Sequence, residues 1–291
     1  MTASSRKVII VGHSERPEAP VVAHQAVEWL RNHGHVPVAQ AVDIQSLGLD
    51  VDLCTETDIA SAELVLSIGG DGTMLRSVHV LNGRVVPLIG VNLGQLGYLA
   101  VVEDDEVIEA LDVWHNGTEG TEYHYDVRML LEVSMWANGA RLSNHLAMNE
   151  VVIEKSEAGH TVRLGVDIDK AMFTTYAADG LILATPTGST AYSMSARGPI
   201  LSPRLRAILM TPVSPHMLFD RSMVLDPQEL VRIEILGHRS VNVATDGELV
   251  HTLRPGDVVE VRAAQEVARF VRFKEQRFHQ TLKSKFGLSD R

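Results

Sequence analysis

Two loops of small residues carry the side-chain types from which phosphate chemistry is built. Gly69-Gly70-Asp71-Gly72-Thr73 follows the apolar run 64–68, and Thr185-Pro186-Thr187-Gly188-Ser189-Thr190-Ala191-Tyr192 follows the apolar run 181–184. Backbone with few side chains lets amides come close to a phosphate or a base. A strand–loop–helix order at the first loop also aims a helix N-terminus at the same spot. An aspartate there opposes a bare phosphate, so Asp71 suits a metal bridge or a base that takes the proton of a hydroxyl attacking phosphorus. Read alone, the loop is equally a tight turn with a capping aspartate. Arg76, one helical turn on, is either a cation for a phosphate or a solvated surface residue.

Other signals are weaker one by one. Asn92-Leu93-Gly94-Gln95-Leu96-Gly97-Tyr98 follows the apolar run 87–91, which puts it on the same sheet edge as Asp71. Asn149-Glu150 opens an apolar strand; such a pair holds neighbouring hydroxyls or reads an adenine edge, or is simply a polar strand entrance. Tyr192 lies against a base or hydrogen-bonds it, and the Ser/Thr run before it is alternatively a helix cap. The 13 histidines form no His-x-x-x-His pair with a nearby acid, so no zinc-enzyme signature is present. Gly-x-Ser-x-Gly and a complete Gly-x-Gly-x-x-Gly are absent too, which excludes the ordinary esterase and dinucleotide fingerprints.

The elements that position these loops change character along the chain. Residues 7–11, 64–68 and 87–91 read as strands alternating with helices over 21–31, 73–81 and 105–114, which predicts a parallel sheet covered on both faces. Ligands of such sheets sit at the carboxyl ends of strands. From about residue 125 short strand-like runs follow one another, separated by turns such as Asn138-Gly139, Asp179-Gly180 and Asp246-Gly247, which predicts an antiparallel sandwich. Segments 187–197 and 203–210 read as helical inserts and 274–286 as a final helix. The expected organisation is an α/β domain over 1–120 with a Rossmann-like parallel sheet, an all-β domain over 121–273, and a helical segment over 274–291 returning to the first domain.

At 291 residues, 45% of them hydrophobic and 22% charged, the chain has the composition of a globular protein with a large core. A net charge of −11 and an aromatic content of 5% argue against a general nucleic-acid binder. Cys54 stands alone, which excludes an intrachain disulfide and a Cys-rich zinc site. No apolar run approaches membrane-spanning length, and the first strand is too short for a signal-peptide core. The expectation is a cytoplasmic protein with no membrane and no nucleic-acid partner.

In order along the chain, the Gly69–Thr73 loop, the Asn92–Tyr98 stretch, Asn149-Glu150, Asp179-Gly180 and the Thr185–Tyr192 loop closely resemble the NAD kinase family. Ser214-Pro215-His216-Met217-Leu218 and Asp246-Gly247 are similar to later family blocks. GGDGT alone is shared with diacylglycerol-type lipid kinases and phosphofructokinases; the Asn-Glu pair with TPTGSTAY is far more specific. The resemblance implies phosphorylation of the adenosine 2′-hydroxyl of NAD to give NADP, with ATP or polyphosphate as donor and Mg²⁺ as the divalent ion. It implies that Asp71 is the general base and that Gly72 seats substrate and donor with Arg76 nearby. Asn149 and Glu150 would hold the adenosine part and Asp179 the nicotinamide end. Thr190, Ala191, Tyr192, Ser193, Met194 and Ser195 would line the nucleotide site, with His160 facing the substrate. A homodimer or homotetramer is implied as well.

Three departures stand out against that resemblance. Arg197-Gly198-Pro199 replaces a Gly-Gly-Pro, so Arg197 either strains the loop, if that position needs a positive φ, or adds a cation. Ala177 stands where many relatives carry a basic residue. Phe219-Asp220-Arg221-Ser222 replaces the more usual Arg-Pro ending. The alternatives to an NAD kinase are an NADP-binding regulator with weak or no catalysis, and a GGDGT-type lipid or sugar kinase.

Overall fold

The computed structural model describes residues 6–94, 97–274 and 278–288, and the chain divides into two compact units. The first takes the chain up to Val127 and again from Ala268; the second is Arg128–Val267. Gln95 and Leu96 of the Asn92–Tyr98 motif, and residues 275–277 of the C-terminal segment, lie outside the described residues.

In the first unit the strands Asp52–Leu53, Val36–Ala39, Lys7–Gly12, Ala62–Gly69 and Pro87–Asn92 pair in that order, all parallel. Arg269 and Phe270 extend the sheet beyond Pro87 and Leu88, again parallel. Val8 to Val11, Leu64 to Leu66 and Ile68 are fully buried, as expected for strands with helices on both faces. Those helices include Ala19–Asn32, Asp71–Leu81 and Val107–Asn116, whose buried faces carry Val22, Ala26 and Leu30, Met74 and Val78, and Leu111 and Trp114. The chain leaves Lys7–Gly12 toward one side of the sheet and, after Val36–Ala39 and Asp52–Leu53, returns on the other side with Ala62–Gly69. The carboxyl ends of those two strands therefore flank a point where strand order reverses, where α/β sheets open a ligand crevice.

The second unit has an antiparallel sheet in the order Met223–Leu225, Ile208–Val213, Gly180–Ala184, Glu150–Lys155, Val241–Thr245, Glu248–Leu253. Ala171–Ala178, Val162–Ile168, Val231–Leu236 and residues 258–261 form a second antiparallel array. Ile153, Leu183 and Met210 of the first share one buried core with Leu164, Tyr176 and Ile233 of the second, the arrangement of a sandwich. Asn138-Gly139 and Asp246-Gly247 make the tight hairpin turns, with φ of 51° and 77° and of 48° and 86°, the left-handed pair that such two-residue turns require.

Two stretches differ from the sequence reading. Segment 203–210 is not helical: Ile208–Val213 is an interior strand, with Ile208, Leu209 and Met210 all fully buried. A short apolar run has no period that separates a covered strand from a helix, and sheet pairing decides it. The stretch between residues 31 and 64, to which the sequence reading gave no element, holds the strand Val36–Ala39 and the helix Ala41–Leu47, closed by Gly48 at φ 63°. Segment 187–197 is helical in two short turns, Gly188–Thr190 and Tyr192–Ser195. The final helix is Phe278–Lys285.

Candidate active site

Asp71 is the first residue of its helix, after an extended Gly70. Its carboxylate accepts the backbone N–H of Tyr98 on Oδ2 at 2.9 Å, and those of Leu99 and Ala100 on Oδ1 at 2.9 and 3.4 Å. The chain after Gly97 therefore wraps three amides around one carboxylate. A Cβ built on Gly97 would collide with Asp71 Oδ1, so only glycine allows that approach. Tyr98 is itself braced: the ring of Phe278 lies 5.9 Å from its own, and Lys285 Nζ sits 4.7 Å over it. Asp71 is thus fixed in orientation from both ends of the first unit's sequence, half-buried and facing the loop.

Beside it a cavity of about 550 Å³ opens at the reversal of strand order. Gly12, His13 and Arg16 line it from one strand end, Gly69, Gly70 and Gly72 from the next. The glycines leave amides and a helix N-terminus exposed to it, and Arg16 adds a cation, a surface suited to an anion. Arg76 lines the same cavity but is already committed. Its Nη1 donates to Asp43 Oδ2 at 3.1 Å and its Nη2 to Asp43 Oδ1 at 2.6 Å, and Nη2 also reaches the Gly12 carbonyl. Asp43, fully buried, takes the Gly12 N–H at 2.9 Å as well. This fork joins two carboxylate oxygens to one guanidinium and ties the helix Ala41–Leu47 to the helix that begins with Asp71.

The second unit assembles the remaining residues around the Asn149-Glu150 pair. The loop Thr185–Thr190 lies directly on Asn149: Thr185 N donates to its carbonyl at 2.8 Å, and Thr185 Oγ1 to the Met148 carbonyl at 2.6 Å. A Cβ on Gly188 would fall 2.7 Å from Asn149 Cα, so this glycine is required by close approach. Glu150 is 6% exposed, and its Oε2 is buried with no hydrogen-bond partner. Burial, and next the Asp246 carboxylate, push its carboxyl up to about 7, against the opposing backbone N–H of Tyr192. Burial and the carboxylates of Glu154, Asp179 and Glu150 also raise the Tyr192 hydroxyl, so an exposed tyrosine stands among three acids. Asp179 is paired with Lys155 Nζ at 2.7 Å.

Not every expected residue points to open space. Ser193 is buried and shares a hydrogen bond with Thr211 Oγ1 at 3.1 Å, which gives it a place in the packing. Thr190 and Met194 are half-buried, Ser195 is exposed, and His160 is exposed on the connection between Glu150–Lys155 and Val162–Ile168. Arg197 has φ 66°, so it takes the left-handed conformation that favours glycine, just past the Tyr192–Ser195 helix. Asp43, Asp246 and Lys155 escaped the sequence reading as site-shaping residues. Two signals touch one of them: Asp246-Gly247 reads as a turn and is similar to a later family block, but neither signal assigns Asp246 a contact. Among the described residues no cluster of three or more histidines, cysteines and acids is placed to hold a metal ion, and no helix is long and apolar enough to cross a membrane.

Comparison with known proteins agrees with this architecture. Residues 8–118 match the ATP-NAD kinase N-terminal domain and 148–273 the ATP-NAD kinase C-terminal domain. The NAD kinase of Syntrophotalea carbinolica is 35% identical, over 98% of this chain and 100% of its own length; that of Geobacter sulfurreducens is 33% identical over the same shares. A yeast NADH kinase complexed with NADH superposes with a TM-score of 0.88 at 25% identity, over 100% of this chain and 90% of its own. An Archaeoglobus fulgidus NAD kinase in complex with ATP shares the fold, with a TM-score of 0.72 at 21% identity over 96% and 98% of the two chains. With both family domains in order and near-complete coverage by relatives above 30% identity, this chain belongs to the ATP-NAD kinase family.

Proposed function

We propose that the protein transfers the terminal phosphoryl group of ATP to the adenosine 2′-hydroxyl of NAD, giving NADP and ADP. The observation that carries the reading is Asp71, a carboxylate oriented by three amides between the cavity-lining Gly70 and Gly72. In this reading Asp71 accepts the hydroxyl proton as the oxygen attacks phosphorus, and the bond from phosphorus to the leaving diphosphate oxygen breaks. Gly72, with the other loop amides and Arg16, receives the donor phosphates. Arg76 contributes mainly by holding the loop. The orphan Oε2 of Glu150 and the Asn149 amide take the adenosine hydroxyls and base; Tyr192 with Thr190, Ala191, Met194 and Ser195 lines the rest. Ser193 supports them from behind, Asp179 takes the nicotinamide end, and His160 stands near the substrate.

The divalent ion fits the donor set in one way. Mg²⁺ would be held through the donor phosphates, as this ion commonly is, and would supply positive charge that a chain of net charge −11 lacks. Polyphosphate is a candidate donor on the same footing, since the loop recognises phosphate rather than adenosine. We also propose a cytoplasmic homodimer or homotetramer. The exposed Phe173 and Phe219 of the second unit, whose ring centroids lie 5.7 Å apart, support self-association, and light scattering measures it. The family match over both domains disfavours a lipid or sugar kinase.

The test is NADP formation from NAD, ATP and Mg²⁺, read through an NADP-specific dehydrogenase, with Asp71→Asn in parallel. Turnover that disappears in the variant supports both the activity and the base. NADP binding with no turnover from ATP or polyphosphate would replace the kinase by a nucleotide-binding regulator.

A further inference from the structure

Between the strand Ala140–Ala147 and the strand Glu150–Lys155 the chain bends at Met148 and Asn149. The bend takes the N–H groups of residues 148, 149 and 150 to one side, where a buried amide needs an acceptor. One side chain serves all three. Asp246 Oδ2 accepts from Met148 N at 2.7 Å, and Oδ1 from Asn149 N at 2.7 Å and Glu150 N at 3.1 Å. The Asp246 N–H in turn donates to the Glu150 carbonyl at 2.9 Å. Asp246 is held rigidly for this task, at the first position of the turn that joins Val241–Thr245 to Glu248–Leu253, with φ 48° followed by Gly247 at 86°. On the opposite side of the bend Thr185 binds the carbonyls of Met148 and Asn149.

We propose that Asp246 is a positioning residue for substrate, which sets the Asn149-Glu150 pair through these backbone contacts without touching the substrate itself. The proposal rests on the NAD kinase reading above and adds a residue to it. Two consequences follow from the chemistry. The anchored carboxylate fixes the direction in which Asn149 and Glu150 leave the backbone, so its loss is felt at the nucleoside end of NAD and not at the donor. Its charge also opposes ionisation of Glu150, next in weight after burial. The groups facing Glu150 are Asp246 from the turn and Tyr192 from the short helix; Glu154 and Asp179 act on Tyr192.

The experiment uses the full-length enzyme and the variants Asp246→Asn, Gly247→Ala and Glu150→Gln, with KM for NAD, KM for ATP, kcat and the melting temperature measured on each. Asp246→Asn keeps the shape and turns one acceptor into a donor facing Met148 N–H. It should raise KM for NAD about tenfold, as expected for a lost charge-assisted contact, with kcat and KM for ATP within about twofold. The pH at which KM for NAD changes should fall, because the opposing charge is gone. Gly247→Ala strains the turn but keeps the carboxylate, and should move KM for NAD in the same direction by less. Added to Glu150→Gln, Asp246→Asn should cost less than it does alone, since both act on one contact. The proposal is overturned by an unchanged KM for NAD in Asp246→Asn, by equal rises in both KM values, or by a loss of melting temperature and active fraction with both KM values intact. If the wild type makes no NADP, the kinase reading fails by itself. NADP titration of the same proteins then judges Asp246, tighter or equal binding in the variant counting against it.

Discussion

Removing Arg76 separates phosphate binding, one of the roles the sequence offers, from a clamp on Asp43 that only the fold brings together. In the structure its guanidinium forks onto Asp43, whose side chain is 0% exposed while that of Arg76 is 32% exposed. Arg76→Ala leaves a buried carboxylate with the Gly12 N–H as its remaining partner in that contact. Breaking a buried pair by removing one member costs about 3–5 kcal/mol. Because Arg76 also lines the cavity, its removal lets water reach Asp43, and the expected loss is at the lower end, about 3 kcal/mol. For a domain of this size that is a fall in melting temperature of roughly 6–12 °C, read by calorimetry or circular dichroism. Asp43→Asn placed on top should recover most of the loss, because the uncompensated charge disappears while an acceptor for Gly12 N–H remains. Arg76→Lys should fall between, since an ammonium cannot make the two-pronged contact. A normal melting temperature in Arg76→Ala, with a raised KM for ATP and no rescue by Asp43→Asn, would refute the clamp and return Arg76 to phosphate binding.

Asp71→Asn should retain NADP binding and the fold but lose about 10²–10⁴-fold in kcat, the range for a general base; a rate within tenfold of wild type would remove Asp71 from that role. Glu150 bears on stability in the opposite sense to an ordinary acid. Its folded-state pKa of about 7 lies above the unfolded value of 4.5, so the native state holds more protons in between and its stability falls as pH rises from about 4.5 to 7. Glu150→Gln should therefore melt higher than wild type at pH 8, by an amount corresponding to up to about 3 kcal/mol, and the gain should vanish near pH 4.5; a constant difference across pH would contradict it. The same variant should raise KM for NAD. Arg197→Gly should stabilise by about 0.5–1 kcal/mol, the relief of a left-handed non-glycine residue less the added freedom of glycine in the unfolded chain; a lower melting temperature would show that the Arg197 side chain makes a contact worth more than its strain.

What the sequence made legible and what it hid divide along a physical line. The GGDGT loop, the parallel alternation before residue 125 and the Asp246-Gly247 and Asn138-Gly139 turns are local: in the first a strand, an extended glycine and a helix start lie within a few residues, and in the hairpins a left-handed glycine lies between two strands. Periodicity failed at 203–210 because three buried residues in a row carry no period, and it passed over the strand Val36–Ala39 because four residues are too few to show one. The contacts that aim the chemistry are of another kind. Arg76 meets Asp43 across 33 residues of sequence, and Asp246 meets the backbone of Met148 to Glu150 across 96 to 98. Asp43 sits in a seven-residue helix with nothing to distinguish it, and Asp246 is marked by its hairpin turn and family block but not by what it contacts. The loops recognisable in the sequence are thus the groups that meet ligand. The contacts by which acids hold them in place appear only once the fold has brought distant segments together, and substitution at those acids separates positioning from chemistry.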